Sequence, residues 1–115
     1  MRTSDIISIH VPLIDQPKNL ISMQEFSLMK KTSILLNASR GGVVDEHALS
    51  QAIQDKKIKG AAIDVFTSEP PEKNNPLLNL PDEFRDNIIL TPHIGGITAQ
   101  SWAELFSRSW INIQR

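Results

Sequence analysis

Ser-Ile-Leu-Leu-Asn-Ala-Ser-Arg-Gly-Gly-Val-Val, residues 33–44, decides how the rest of the chain is read. Ile34, Leu35 and Leu36 make the short apolar run that a buried strand needs. The run ends at Arg40 followed by Gly41 and Gly42, which reads as a strand reaching the edge of a sheet and turning sharply. Arg40 then stands at the carboxyl end of the strand, where open α/β sheets bind their ligands. The glycines permit positive φ and leave the backbone bare to a ligand. Taken alone, the stretch also fits an ordinary surface arginine in a turn, so its neighbours must decide.

Upstream, residues 5–10 (Asp-Ile-Ile-Ser-Ile-His) are β-branched and apolar on both faces, which suits a strand buried on both sides of a parallel sheet. Pro12 ends it, and residues 15–19 form a polar loop around Pro17. Ser22 opens a helix: Ser22 and Glu25 make a capping-box pattern, and Ile21 and Phe26 sit where a hydrophobic staple would place them. Phe26 and Met29 give this helix an apolar face, and Lys30 and Lys31 suit its C-terminus. Downstream, Asp45 is an N-cap, Ala48, Leu49, Ala52 and Ile53 form one stripe, and the lysines up to Gly60 mark the helix end.

Residues 60–66 (Gly-Ala-Ala-Ile-Asp-Val-Phe) read as the next strand. Residues 68–85, with four prolines, read as a loop anchored by Leu77, Leu78 and Leu80. Residues 87–91 are a fourth strand. Thr98 caps a last helix whose stripe of Trp102, Leu105, Phe106, Trp110 and Ile113 follows helical spacing. The alternation predicts an α/β fold: a partial Rossmann-type parallel sheet of about four strands with flanking helices and right-handed crossovers. None of the five glycines builds G-x-G-x-x-G, so the first, phosphate-binding βαβ half of such a fold is not expected within this chain. At 115 residues the chain is read as one partial domain, 1–115.

Composition narrows the function classes. Twelve basic and thirteen acidic residues, mixed along the chain, give a net charge of −1 and no footprint for nucleic acid or an anionic membrane. The absence of cysteine excludes disulfides and thiolate chemistry, and is compatible with a cytoplasmic protein. No apolar run approaches the roughly 20 residues of a membrane span. No His and carboxylate group has metal-ligand spacing, so no metal site is expected.

Arg40, Asp64, Glu69 and His93 all fall at or just beyond predicted strand ends, and a parallel sheet would gather them along one rim. Each has a plain alternative: Asp64 as a turn former, Glu69 as a solvated loop charge, His93 as a packing residue. His10 and His47 look structural. Together the four suggest chemistry. An arginine can grip a carboxylate in two places. A histidine accepts protons near neutral pH. A neighbouring carboxylate orients such a ring and favours its protonated form. That is the equipment for oxidising a 2-hydroxy acid.

Four segments carry a family resemblance: residues 8–13 (Ser-Ile-His-Val-Pro-Leu), 36–46 (Leu-Asn-Ala-Ser-Arg-Gly-Gly-Val-Val-Asp-Glu), 60–70 (Gly-Ala-Ala-Ile-Asp-Val-Phe-Thr-Ser-Glu-Pro) and 90–96 (Leu-Thr-Pro-His-Ile-Gly-Gly). In this order they resemble the D-isomer-specific 2-hydroxyacid dehydrogenases, and the similarity covers nearly the whole chain. The resemblance implies hydride transfer between a nicotinamide and a small 2-hydroxy or 2-keto acid. The implied cofactor is NAD, with NADP open. Arg40, Glu69 and His93 match the family's catalytic residues. Asp64 matches the aspartate at the nicotinamide end. Ala38, Ser39 and Arg40 match one segment lining the nicotinamide, and His93, Ile94, Gly95 and Gly96 match another. His10 to Pro12 resembles the turn beside the adenosine. The family implies a second half of the NAD domain here, ending in the helix that returns to a substrate domain. The resemblance implies a dimer, and the open sheet edge near residues 5–10 and the Trp102 and Trp110 face of the last helix are the expected routes to a homodimer or larger assembly. The alternatives are an inactive truncated product and a dehydrogenase-like interaction or corepressor module.

Overall fold

The computed structural model describes residues 1–12 and 18–114. Strands β1 (Ile6–Ile9), β2 (Ile34–Asn37), β3 (Gly60–Ile63) and β4 (Ile88–Leu90) form one sheet in that order, and every neighbouring pair is parallel. Helix α1 (Met23–Ser27) links β1 to β2, α2 (Glu46–Gln54) links β2 to β3, and α3 (Ala99–Ile113) follows β4. The expected α/β class and parallel sheet are what the chain forms. Ile9, Asn37, Ile63 and Leu90 occupy one register row across the sheet. His10, Ala38, Asp64 and Thr91 therefore begin at the same level, on the rim formed by the strands' carboxyl ends.

Side-chain alternation divides the sheet. Ile9, Leu35, Ala61 and Ile63 enter one core with Phe26 of α1, Leu49 and Ile53 of α2, and Val43. The opposite face carries Ile6, Ile34, Leu36, Ala62 and Ile89, with Ile6 62% and Ile89 66% exposed. The expectation that residues 5–10 are buried on both sides is thus corrected. Helices pack on one face only, and in β1 only Ile9 is buried.

Local chemistry explains the helix ends. The Glu25 carboxylate accepts from the Ser22 N–H at 2.9 Å and its hydroxyl at 2.8 Å, while Ile21 and Phe26 are buried as a staple. Helix α1 stops at Ser27, short of the expected lysines, where the Ser27 hydroxyl donates to the Met23 carbonyl at 2.8 Å. Such back-bonding competes with continuation of the helix. Asp45 caps α2 through an oxygen that accepts from the Ala48 N–H at 3.0 Å. The helix ends before the lysines, with Lys56 in the left-handed region at φ 53°. Gly60 instead begins β3, where a Cβ would overlap the Asn87 carbonyl.

The loop expected over 68–85 is anchored by the buried Leu77 and Leu80, while Leu78 is 43% exposed. It runs into a 3₁₀ turn, Asp82–Asn87, that the prolines concealed in the sequence. Thr98 caps α3 as expected, accepting from the Ser101 N–H at 3.0 Å. No residue of α3 is buried, so its apolar stripe faces outward. Residues 15–17 of the expected polar loop, Leu13 of the 8–13 segment and Arg115 lie outside the described residues.

Candidate active site

The Arg40 turn is built by Asn37, the last residue of β2 and only 2% exposed. Its Oδ1 accepts from the Ser39 N–H at 3.1 Å and the Ser39 hydroxyl at 2.8 Å, and its Nδ2 donates to the Arg40 carbonyl at 3.2 Å. An Asx-type turn of this kind folds the chain back within a few residues. Gly41 follows, and a Cβ there would overlap the Phe66 carbonyl, so only glycine lets this turn close on the next strand's exit. The Arg40 side chain is exposed. It donates from Nη1 to the Ser39 carbonyl at 2.6 Å and pairs with no carboxylate among the described residues.

Asp64, just past β3, is buried, and its carboxylate laces down the segment after β4. It accepts from the Thr91 hydroxyl, the Ile94 N–H at 2.9 Å and the Gly95 N–H at 2.8 Å. Burial works to raise its pKa. The bonds from Thr91, Gly95 and Ile94, with the charge of His93, outweigh burial and hold it below the ordinary carboxylate value. Asp64 thus holds the turn after β4, which agrees with the plain reading of it as a turn former.

His93 sits in the turn Asp64 fixes, at φ 56°. Histidine is among the residues enriched in the left-handed region, and an outlier there marks a turn that re-aims a side chain. Its Nδ1 lies 2.7 Å from Glu69 Oε2. The other Glu69 oxygen accepts from the Phe66 N–H at 3.0 Å. The bond to His93 first, and that to Phe66 next, hold Glu69 below the ordinary carboxylate pKa. Glu69 is therefore ionised at neutral pH. A proton on Nδ1 completes the bond to an ionised carboxylate, and in the neutral ring of that tautomer Nε2 is the acceptor.

Arg40, Asp64 and His93 face a common cavity of about 630 Å³, with Ala38 and Gly96 also in its wall. Glu69 and His93 border a second, smaller cavity of about 250 Å³ with Pro70 and Pro71. Ser39 turns its hydroxyl to Asn37, and Ile94 and Gly95 give backbone N–H groups to Asp64; none of the three lines the larger cavity. His10 and Pro12, exposed at the edge strand's exit, do not line it either; His10 Nε2 is 2.7 Å from the Ser8 hydroxyl.

Sequence reasoning did not anticipate Ile97, Ser101, Trp102 and Leu105, which close the cavity from the start of α3. In the sequence, Trp102 and Leu105 show only as part of an apolar stripe. Asn37, a polar residue ending an otherwise apolar run, was the one visible hint of the turn that presents Arg40. Ala38 and Gly96 leave part of the cavity wall without bulky side chains, beside the polar groups of Arg40, Asp64 and His93.

The chain is similar to known proteins throughout. It is 48% identical over 101 residues to the D-3-phosphoglycerate dehydrogenase of Haemophilus influenzae, covering 88% of this chain and 24% of that relative. Among solved structures it matches the D-lactate dehydrogenase of Aquifex aeolicus, complexed with NAD and lactic acid, at TM-score 0.83 and 32% identity, over 98% of this chain and 37% of that one. It also matches an acyclic imino acid reductase, in complex with NADPH and D-Arg, at TM-score 0.85 and 31% identity, over 99% and 34%. The chain thus spans about a quarter of the length of the curated relatives it matches. The family model for the NAD binding domain of D-isomer specific 2-hydroxyacid dehydrogenases matches residues 1–95, from β1 to the segment that Asp64 holds, and the chain belongs to that family.

Proposed function

We propose that this chain supplies the nicotinamide-facing rim of an oxidoreductase that moves hydride between NAD and a small 2-hydroxy or 2-keto acid. The observation that carries this reading is the Glu69–His93 pair at 2.7 Å, whose histidine shares a cavity wall with Arg40, an arginine that pairs with no carboxylate among the described residues. Arg40 binds the substrate carboxylate through two parallel N–H donors. That clamp aims the C2 hydroxyl at His93 Nε2, which accepts its proton. Glu69 keeps the ring oriented and stabilises the imidazolium that results. Bound NAD would supply the hydride acceptor for C2, which would turn the 2-hydroxy acid into a 2-keto acid, and NADH would supply the hydride for the reverse. Arg40, Glu69 and His93 are thus the catalytic set. Residues 38–40 and 93–96, with Asp64 behind them, form the nicotinamide side, and His10 and Pro12 stand toward the adenosine.

In the same reading, residues 1–115 are the second half of an NAD-binding domain, working in the cytoplasm as a homodimer or larger assembly. No helix among the described residues is long and apolar enough to cross a membrane. The test is an NADH titration followed by the fluorescence of Trp102 and Trp110, then NADH oxidation with a panel of 2-keto acids. Saturable quenching that Arg40→Ala weakens, and turnover that His93→Ala lowers by roughly 10²–10⁴, are expected. Absence of quenching at millimolar NADH would overturn the reading for this chain.

A further inference from the structure

Glu69 lies on the segment after β3, outside any helix or strand, yet it must hold a fixed place beside His93. Its own bonds to Phe66 and His93 do not explain why the segment stays there. The first residue of α2 does. Glu46 Oε1 accepts from the Thr67 N–H at 2.7 Å, two residues before Glu69. Glu46 Oε2 accepts from Asn75 Nδ2 at 2.6 Å, six residues after it. Asn75 is buried and in turn accepts from the Leu77 N–H at 2.9 Å, tying the segment to a core leucine. The contact between Gly41 and the Phe66 carbonyl closes the same seam from the other side. One carboxylate at the start of α2 thus grips both ends of the stretch that carries Glu69.

We propose that Glu46 is a positioning residue: by bridging Thr67 and Asn75 it fixes Glu69 against His93, and through the α2 turn it sets both relative to Arg40. The inference rests on the catalytic reading of those three residues, but the clamp is tested without turnover. Both Glu46 oxygens act as acceptors. Glutamine offers one acceptor and would aim an NH₂ at another donor, so Glu46→Gln breaks the bridge despite its matching shape. Aspartate keeps the charge but falls one methylene short.

The experiment is a pH titration of the Glu69 side-chain carboxyl by ¹³C NMR in the 115-residue chain. His93, Asp64 and the Phe66 N–H are the groups that act on Glu69. If Glu46 positions Glu69, Glu46→Gln and Glu46→Asp both move its midpoint up, toward the ordinary 4.5. Loss of a nearby negative charge alone would move it down in the glutamine variant and leave the aspartate variant in place, so the sign separates the two causes. In Glu46→Gln/Asn75→Asp the donor and acceptor are exchanged, and the midpoint returns to the parent value. Amide spectra report folding in each variant. If Glu46→Gln does not fold, Glu46→Asp and Asn75→Ala carry the test, the latter giving a smaller upward shift. An unmoved or lowered midpoint in the folded variants overturns the proposal, whatever the chain does with NADH.

Discussion

At the scale of single residues, the rim is organised by polar side chains that bond both to backbone and to each other. Asn37 shapes the Arg40 turn, Asp64 holds the His93 turn, and Glu69 is seated by Phe66. Asp64 bears the most, because it is buried and accepts from three donors. Asp64→Asn replaces one acceptor by a donor that must face an N–H. The expected cost is about 1–3 kcal/mol, the range for a buried polar group left unpaired. Urea denaturation of the two proteins checks it. The pKa values of Asp64 and Glu69 are both lowered in the fold, so below the ordinary carboxylate values the unfolded chain takes up protons that the native chain does not. Their contribution to stability is complete above about pH 5 and is lost as pH falls through their folded pKa values. Asp64→Asn should flatten that acid limb, which a plot of stability against pH between 6 and 3 would show.

At the scale of elements, what could be read from the sequence was whatever local chemistry announces. β2, β3 and β4 declared themselves as apolar runs, and Asp45 and Thr98 as caps. Arg40, Glu69 and His93 were legible because parallel strands must share a rim. The positions of Glu46 and Asn75 were not legible: their partners lie 21 and 29 residues away, and no periodicity encodes a side chain bonded to a distant backbone. The start of α1 was legible at Ser22, but its early end was hidden because it falls at Ser27 and Leu28, with no glycine or proline to mark it. The 3₁₀ turn was hidden among prolines, too short to show a period. Caps, by contrast, can be priced from sequence and geometry together. Asp45→Ala removes the bond to the Ala48 N–H and should cost about 1 kcal/mol. In a domain of this size that lowers the melting temperature by roughly 4–8 °C, measurable by circular dichroism.

At the scale of the whole molecule, the chain shows more surface than its mass predicts. Its accessible area is 7933 Å², whereas a compact chain of 12.9 kDa exposes roughly 6,300 Å². Its radius of gyration is 16.2 Å, against about 13.4 Å for a compact domain of this length. The excess has two sources. One face of the sheet is uncovered, with Ile6 and Ile89 exposed. Helix α3 stands clear of the core with Leu105, Phe106 and Trp110 59–64% exposed and Trp102 stacked on Phe106 at 5.3 Å. The difference of about 1,600 Å² per chain is about twice the roughly 800 Å² that each partner gives to a stable protein–protein interface. Two copies of this chain pairing through α3 could bury much of it, and a two-fold contact of that kind places the same stripe on both sides. The expected outcome is self-association at micromolar concentration, seen as a mass above 12.9 kDa in analytical ultracentrifugation. Leu105→Glu and Phe106→Glu would weaken pairing through the helix, because each sets a charge in the apolar stripe. Ile89→Lys would weaken it instead if the sheet face were the contact. Parent protein that sediments as a monomer at 100 µM would show that neither surface drives assembly.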